Sequence, residues 1–276
     1  MPAEKGRGRW RRTILLNHFA ILLLCLFSCS VLEDRSGCPC RLSIHVTCPE
    51  AAVPPDSLSL LLVSGSSFEL RSHALPPAGL RIEMLVSKQK GGTDILAAAC
   101  PGNSGGFTAN GFEIPLGSDC PPGLLLGVSH ADTDAEEAIC WMNLYKHVCR
   151  LTLKLKAGEE AFPFRVRLQG DVAGFSPSGA LLEGAYSFDL PAFDASGQAS
   201  AGIPRQPPDG GSLRLEILFS DEVLRSFALG EIMVRGGYDW TVPDLADASL
   251  ELDYARTLLT LRSGSWSESV PIEKVL

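Results

Sequence analysis

The sequence lacks an apolar run long enough to cross a membrane as a helix. Its most apolar run, residues 14–27, has fourteen residues and contains Asn17 and His18. As a helix this run would be about 21 Å long at ~1.5 Å per residue, whereas the hydrocarbon core of a bilayer is about 30 Å thick. Five basic residues and one acid precede the run, and this arrangement is typical of a signal peptide. We therefore expect residues 1–28 to direct export.

Motifs for common catalytic, metal and phosphate sites are also absent. The chain has no His-Glu-x-x-His pair and no phosphate-binding glycine loop. Gly102-Asn103-Ser104-Gly105-Gly106 resembles the nucleophile segment of chymotrypsin-like proteases, but Asn103 replaces the aspartate and no histidine precedes it in the required context. The acidic residues at 132–137 lack the spacing and glycine of a calcium loop. We predict no catalytic, cofactor-binding or metal-ligating residues.

Positive charge is scarce in the expected mature chain. Removal of residues 1–28 leaves 19 basic and 31 acidic residues, a net charge of −12. A surface of this charge repels phosphate backbones and anionic lipid headgroups. Nucleic acid is therefore excluded as an expected partner.

The end of the apolar run predicts a lipid attachment site. Leu26-Phe27-Ser28-Cys29 resembles the lipobox of bacterial lipoproteins, with leucine at position minus three and a small residue before the cysteine. Cleavage is expected before Cys29 and not before Cys25, which follows the bulky Leu24. Each buried methylene of an attached lipid contributes ~0.8 kcal/mol, so several acyl chains anchor stably. An ordinary secretory signal with a chance cysteine is the alternative.

Cysteine pairs with zinc-site spacing are missing. Cys38-Pro39-Cys40 is the only close pair, and zinc sites use Cys-x-x-Cys or Cys/His spacings. Disulfides or buried thiols are the preferred interpretation, because an exported chain meets an oxidising environment. The expected mature chain keeps seven cysteines besides Cys29: Cys38, Cys40, Cys48, Cys100, Cys120, Cys140 and Cys149.

Alternating apolar residues predict β-strands in both halves of the chain. In residues 41–48, Leu42, Ile44 and Val46 share one face, which is the pattern of a half-buried strand. The pattern recurs at 58–62, 80–86, 112–116, 124–128, 149–155, 164–168, 213–219, 250–254 and 259–261. One exception is the capping-box pattern Thr133-x-x-Glu136, which predicts a short helix over 133–147.

These patterns predict an all-β chain with four parts. Glycine and proline pairs separate the strands, as in β-sandwiches. The expected organisation is a signal peptide (1–28), a lipidated tether (29–37), an N-terminal sandwich (38–147) and a C-terminal sandwich (148–276).

Three ordered groups of residues resemble the lipidated anchor and accessory subunits of Bacteroidales-type (type V) fimbriae, relatives of the fimbrillins. The first is the acidic tether that runs from Glu33-Asp34 into Cys38-Pro39-Cys40. The second is Ile203-Pro204-Arg205-Gln206. The third is Gly237-Tyr238-Asp239-Trp240-Thr241 with Leu245, followed by Leu252-Asp253-Tyr254 and Trp266.

This resemblance implies two transthyretin-like sandwiches on the outer membrane, facing outward. It also implies a structural role, in which the protein anchors or caps a fimbrium and contacts fimbrial structural or accessory subunits through β-strands. The membrane contact would be made by the covalent lipid. The alternative is a surface lipoprotein that binds a glycan or another ligand. Trp240 and Trp266 would serve it as stacking platforms if exposed, but a packing role in the core or at a sheet edge is the preferred interpretation of both residues.

Overall fold

The computed structural model describes residues 37–48, 57–75, 79–99, 106–121, 123–156, 162–255, 258–263 and 266–271, with side chains except at Lys156 and beyond Leu252. These residues confirm the predicted all-β class, since they form strands and one short helix, α1 (Leu229–Arg235). The strands are β1 (Cys40–Thr47), β2 (Ser57–Ser64), β3 (Ser67–Ala74), β4 (Leu80–Val86), β5 (Thr93–Ala99), β6 (Phe107–Thr108), β7 (Gly111–Glu113), β8 (Leu125–Ala131), β9 (Glu137–Asn143), β10 (Tyr145–Lys146), β11 (Val148–Lys156), β12 (Arg165–Phe175), β13 (Leu181–Asp189), β14 (Gln198–Pro204), β15 (Arg214–Phe219), β16 (Glu222–Phe227), β17 (Ala248–Ala255), β18 (Leu258–Ser263) and β19 (Trp266–Pro271).

The predicted helix over 133–147 is wrong, because most of this segment forms β9 and β10. In β9 the side chains of Ala138, Cys140 and Met142 are buried, while Ile139 and Trp141 between them are exposed. β9 pairs with β1 along its whole length. The burial of one face and the hydrogen bonds to β1 outweigh the modest helix preference of the sequence.

Two sheets enclose a first hydrophobic core. One has the strand order β4-β1-β9 and the other β10-β8-β5-β2-β3. β1 pairs antiparallel with β4 and parallel with β9, whereas the pairings in the five-stranded sheet are antiparallel. The core between them includes Leu42, Ile44, Leu58, Leu60, Ile82, Met84, Ile95, Ala138, Cys140 and Met142.

Two larger sheets enclose a second core. Their orders are β14-β11-β17-β18-β19 and β16-β15-β12-β7-β6, and β13 also pairs with β12. β11 pairs antiparallel with β14 and parallel with β17, which repeats the arrangement of β1 with β4 and β9. The sequences repeat too, since Cys40-Arg41-Leu42-Ser43 in β1 matches Cys149-Arg150-Leu151-Thr152 in β11. The boundary between an N-terminal and a C-terminal sandwich, between residues 147 and 148, stays a prediction. The repeated strand arrangement and sequence favour it.

Strands from the first half complete a sheet of the second half. β7 pairs with the end of β12, where Phe112 lies opposite Phe175. A Cβ at Gly111 would lie 2.0 Å from the Phe175 carbonyl oxygen, and a Cβ at Gly174 would lie 2.0 Å from the Phe112 carbonyl oxygen. Only glycine permits so close an approach of the two backbones.

The central strands β2 and β5 of the five-stranded sheet contribute buried residues on both faces. Leu60 and Leu62 pack in the first core, whereas Leu61 and Leu96 pack in the second. Residues 39–276 accordingly cluster as one compact unit. The two cores therefore share a sheet, and their stabilities are coupled.

Candidate functional site

The predicted lipid attachment site lies outside the described residues. Cys29 and the lipobox residues Leu26, Phe27 and Ser28 all fall in this undescribed part, so cleavage and lipidation stay predictions. Within the residues that the structure describes, no helix is both long and apolar enough to span a bilayer.

The acidic residues at 132–137 form a turn that leads into β9, and not the first turn of a helix. The Asp132 carboxylate accepts a hydrogen bond from the backbone N–H of Asp134 at 3.3 Å, which accounts for an aspartate at this position. Across the described side chains, no three His, Cys, Asp or Glu residues are grouped to hold a metal ion. Ser104, in the protease-like segment, lies outside the described part of the chain.

The described cysteines favour the buried-thiol interpretation. Cys140 and Cys149 are 4% and 0% exposed. Burial raises the pKa of both thiols, in Cys149 to about 11. Cys38, Cys40 and Cys48 likewise form no disulfide within the described residues. A buried, protonated thiol is a poor nucleophile, so Cys140 and Cys149 act in packing.

Trp240 is a core residue, as the packing interpretation predicts, and its burial rules out a role as an exposed stacking platform. Its side chain is 1% exposed and its ring lies 4.5 Å from that of Tyr238. The side chain of Trp266, to which the same two interpretations apply, lies outside the described side chains. Among the described side chains, the exposed large aromatic residues are Phe68, Phe219 and Trp141, and Trp141 has the largest exposed fraction of the three, 72%.

Arg205 fixes the loop that contains Trp240. We call this loop, residues 238–247, the strap. The Arg205 guanidinium donates hydrogen bonds to the carbonyl oxygens of Trp240 at 2.5 Å, Val242 at 2.7 Å and Pro243 at 2.6 Å. One half-buried side chain therefore satisfies three irregular carbonyls that no strand could pair.

The far end of the strap is held at the junction between β10 and β11. The Asp244 carboxylate accepts the Lys146 backbone N–H at 2.8 Å, and the Leu245 N–H donates to the Lys146 carbonyl at 3.0 Å. The Asp247 carboxylate accepts the Arg150 N–H at 2.9 Å. The segment that resembles the fimbrial family thus has a structural role in joining the two halves of the chain.

A half-buried histidine beside this network, His147, makes stability depend on pH. Arg205 Nε donates to His147 Nδ1 at 3.3 Å. Burial first, and then the Arg205 charge, lowers the pKa of His147 from about 6.5 to about 4, while Asp244 opposes the shift. Between these values the unfolded chain binds a proton that the folded chain does not. The free energy of unfolding therefore carries no penalty from His147 above about pH 6.5. Between about pH 6.5 and pH 4 it falls by about 1.4 kcal/mol for each unit by which the pH decreases.

His147→Gln should flatten this dependence of the free energy of unfolding on pH. Urea unfolding at several pH values across the window measures it. The matched control is His130→Gln, because His130 is exposed and contacts Asp94 at the surface. Equal pH profiles for wild type and His147→Gln would contradict the role assigned to His147.

Exposed apolar residues mark several sheet edges of the first half. On β9 and β4, the outer strands of the three-stranded sheet, the exposed fractions are 66% for Ile139 and 60% for Leu85. On β3, at the end of the five-stranded sheet, Phe68 is 57% and Leu70 is 49% exposed. Open edges that carry apolar side chains are suited to pairing with a strand of another chain.

An aromatic groove lies beside Trp141. Its volume is about 320 Å³, and its lining includes Trp141, Asn143, Tyr145 and Ser178. The Trp141 indole stacks on the His45 ring with centroids 4.1 Å apart. The sequence does carry a signal for this exposed surface, because residues 138–142 are all apolar. A strand of this kind has apolar side chains on both faces. When its sheet has only one buried face, the apolar side chains of the other face are exposed.

Comparison with solved structures relates this fold to proteins of the bacterial surface. The chain is similar to a candidate adhesin from Bacteroides ovatus (TM-score 0.56, 12% identity, 84% of this chain and 96% of that chain). It is similar to a candidate polysaccharide-binding protein from Bacteroides thetaiotaomicron (TM-score 0.56, 12% identity, 84% and 98%). It is also similar to the fimbrial anchor protein Mfa2 from Porphyromonas gingivalis (TM-score 0.51, 12% identity, 86% and 100%).

The chain has the fold of these Bacteroidales adhesins and fimbrial proteins. The resemblance predicted from the tether, Arg205 and strap segments is thereby confirmed at the level of the fold. No protein-family model matches the sequence, and no characterised protein matches it by sequence. The shared fold extends over nearly the whole length of each neighbour.

Proposed function

We propose that this protein is a structural lipoprotein that anchors or caps a fimbrium at the bacterial outer membrane. The observation that carries the proposal is the fold shared with the anchor protein Mfa2, over 86% of this chain and 100% of that one. The predicted lipid on Cys29 supplies attachment to the membrane. The acidic tether at Glu33-Asp34, which resembles a surface-export signal, supports an outward-facing position.

The proposed contact with fimbrial subunits is strand addition at an open sheet edge. β4 and β9 are the outer strands of the three-stranded sheet. A strand added to either edge would satisfy its outward backbone groups and cover Leu85 or Ile139. Main-chain hydrogen bonds supply affinity in this mode, and the exposed side chains supply specificity.

Photocrosslinking in intact cells tests this assembly. A photoreactive amino acid in place of Ile139, on the β9 edge, is expected to capture a fimbrial subunit. The matched control carries it in place of Leu116, which is 68% exposed but lies in a turn between strands. The proposal fails if neither position captures a fimbrial subunit, or if both capture the same unrelated proteins.

The aromatic groove favours saccharide binding as a second function. An exposed indole offers an apolar face to a sugar ring, while Asn143, Tyr145 and Ser178 offer hydrogen-bonding groups to hydroxyls. The Asn143 amide donates to the Tyr145 hydroxyl at 3.4 Å, which sets both groups on one wall. One structural neighbour is a candidate polysaccharide-binding protein.

Trp141→Ala should abolish binding on a glycan array if the groove holds a saccharide. The matched control is Ile139→Ala, which removes an exposed apolar side chain from the same strand but not from the groove lining. Absence of any glycan signal for the wild-type chain, or equal signals for both variants, would reject this second function.

A further inference from the structure

Among the described strands of the first half, β3 is the edge strand with the most exposed residues. It pairs with β2 at the end of its five-stranded sheet, and its residues are exposed or half-buried on both faces. Phe68 and Leu70 lie on one face, and Glu69 and Arg71 lie on the other, where their side chains form an ion pair at 2.7 Å. An edge of this kind is open to a second strand.

The hairpin between β2 and β3 determines which backbone groups of β3 point outward. Two residues, Gly65 and Ser66, connect the strands, Ser64 lies opposite Ser67, and Gly65 has φ +59. In such a two-residue hairpin the closing pair of residues exchanges backbone hydrogen bonds. Hydrogen-bonded and non-hydrogen-bonded pairs then alternate along the two strands. The N–H and C=O groups of Glu69 and Arg71 therefore turn toward β2, and those of Phe68 and Leu70 turn outward.

We propose that β3 pairs with β3 of a second copy of this chain, antiparallel about a two-fold axis at Leu70. Leu70 then lies opposite the partner's Leu70, and Phe68 lies opposite the partner's Ser72. The outward groups of these residues form about six backbone hydrogen bonds. The two five-stranded sheets become one continuous sheet, and Phe68 and Leu70 form an apolar strip across the join.

Charge complementarity selects this register. Glu69 lies opposite the partner's Arg71 in a pair without backbone hydrogen bonds, where facing side chains are closest. The two-fold axis repeats this contact, so two salt bridges join the copies. A shift by two residues in either direction would set Glu69 against the partner's Glu69, or Arg71 against the partner's Arg71. Both shifts place like charges opposite each other, which is unfavourable.

β4 carries a similar ion pair but lacks the apolar face. Arg81 and Glu83 are in contact at 2.6 Å on this edge strand. Its alternate residues Ile82 and Met84 are 5% and 6% exposed, because they already pack in the first core. Pairing through β4 would therefore bury little additional apolar surface on that face, and β4 provides the matched control.

Light scattering after size-exclusion chromatography of the full chain tests the proposal over a wide range of concentrations. The wild type should reach twice the mass of one chain and no more, because a two-fold interface is closed. Glu69→Arg should weaken association at least about tenfold, since two attractive pairs become repulsive. The charge-swapped double variant Glu69→Arg/Arg71→Glu should restore it.

The control Glu83→Arg on β4 should leave association unchanged. A monomeric wild type at all concentrations overturns the proposal, as does an open-ended series of larger masses. The proposal is also overturned if the double variant does not regain association, or if Glu83→Arg weakens association as much as Glu69→Arg does. Either result would place the contact between copies elsewhere on the molecule. Circular dichroism confirms that each variant is folded, which is expected because these side chains are at the surface.

Discussion

Arg205→Met is expected to lower the free energy of unfolding by about 3 kcal/mol, since it leaves three strap carbonyls without their donor. The guanidinium bonds to the carbonyls of Trp240, Val242 and Pro243, and the side chain is half-buried. Methionine keeps much of the apolar volume and removes the donors. Urea unfolding of both chains measures the difference.

Two further variants separate hydrogen bonding from charge at this position. Arg205→Lys keeps the charge, but a single ammonium group lacks the planar fork that reaches three carbonyls, so most of the loss should remain. Arg165→Met is the control, because Arg165 contacts Asp189 and Asp221 at the surface with 49% of its side chain exposed. That change should cost less than about 1 kcal/mol. Equal losses for Arg205→Met and Arg165→Met would contradict the role assigned to the hydrogen bonds between Arg205 and the strap.

Cys29→Ala is expected to remove lipid from the protein altogether. Metabolic labelling with a fatty acid should mark the wild type and leave the variant unlabelled, because thioether lipidation requires this sulfur. The variant should also leave the membrane fraction, since an acyl chain contributes ~0.8 kcal/mol per buried methylene and the mature charge of −12 gives no attraction to anionic lipid. Cys25→Ala is the matched control and should stay labelled. Labelled Cys29→Ala would place the lipid elsewhere.

Strands with one buried face were predictable from the sequence. In β1, Leu42 and Ile44 are fully buried while Arg41 and Thr47 are exposed, so the period of two is visible in the residues. β5 escaped prediction because it is buried on both faces, where Ile95 packs in the first core and Leu96 in the second. A strand in that position reads as a continuous apolar run without alternation.

The candidate surfaces were less predictable than the fold. Trp240 and Trp141 are chemically alike, but only the docking of the strap decides that the first is buried. That docking depends on Arg205, which lies 35 residues before Trp240 in the chain. The repeat of Cys40-Arg41-Leu42 at Cys149-Arg150-Leu151 is a clearer signal, because the residues themselves relate β1 to β11.

The central claim, that this protein fixes a fimbrium to the cell through Cys29, is tested most directly by quantifying fimbriae on cells and in the medium. The comparison uses cells in which the wild-type protein is replaced by Cys29→Ala or by Cys25→Ala. The account predicts that fimbriae move into the medium with Cys29→Ala and stay on the cells with Cys25→Ala. Fimbriae that remain on Cys29→Ala cells in wild-type amount and length would contradict it.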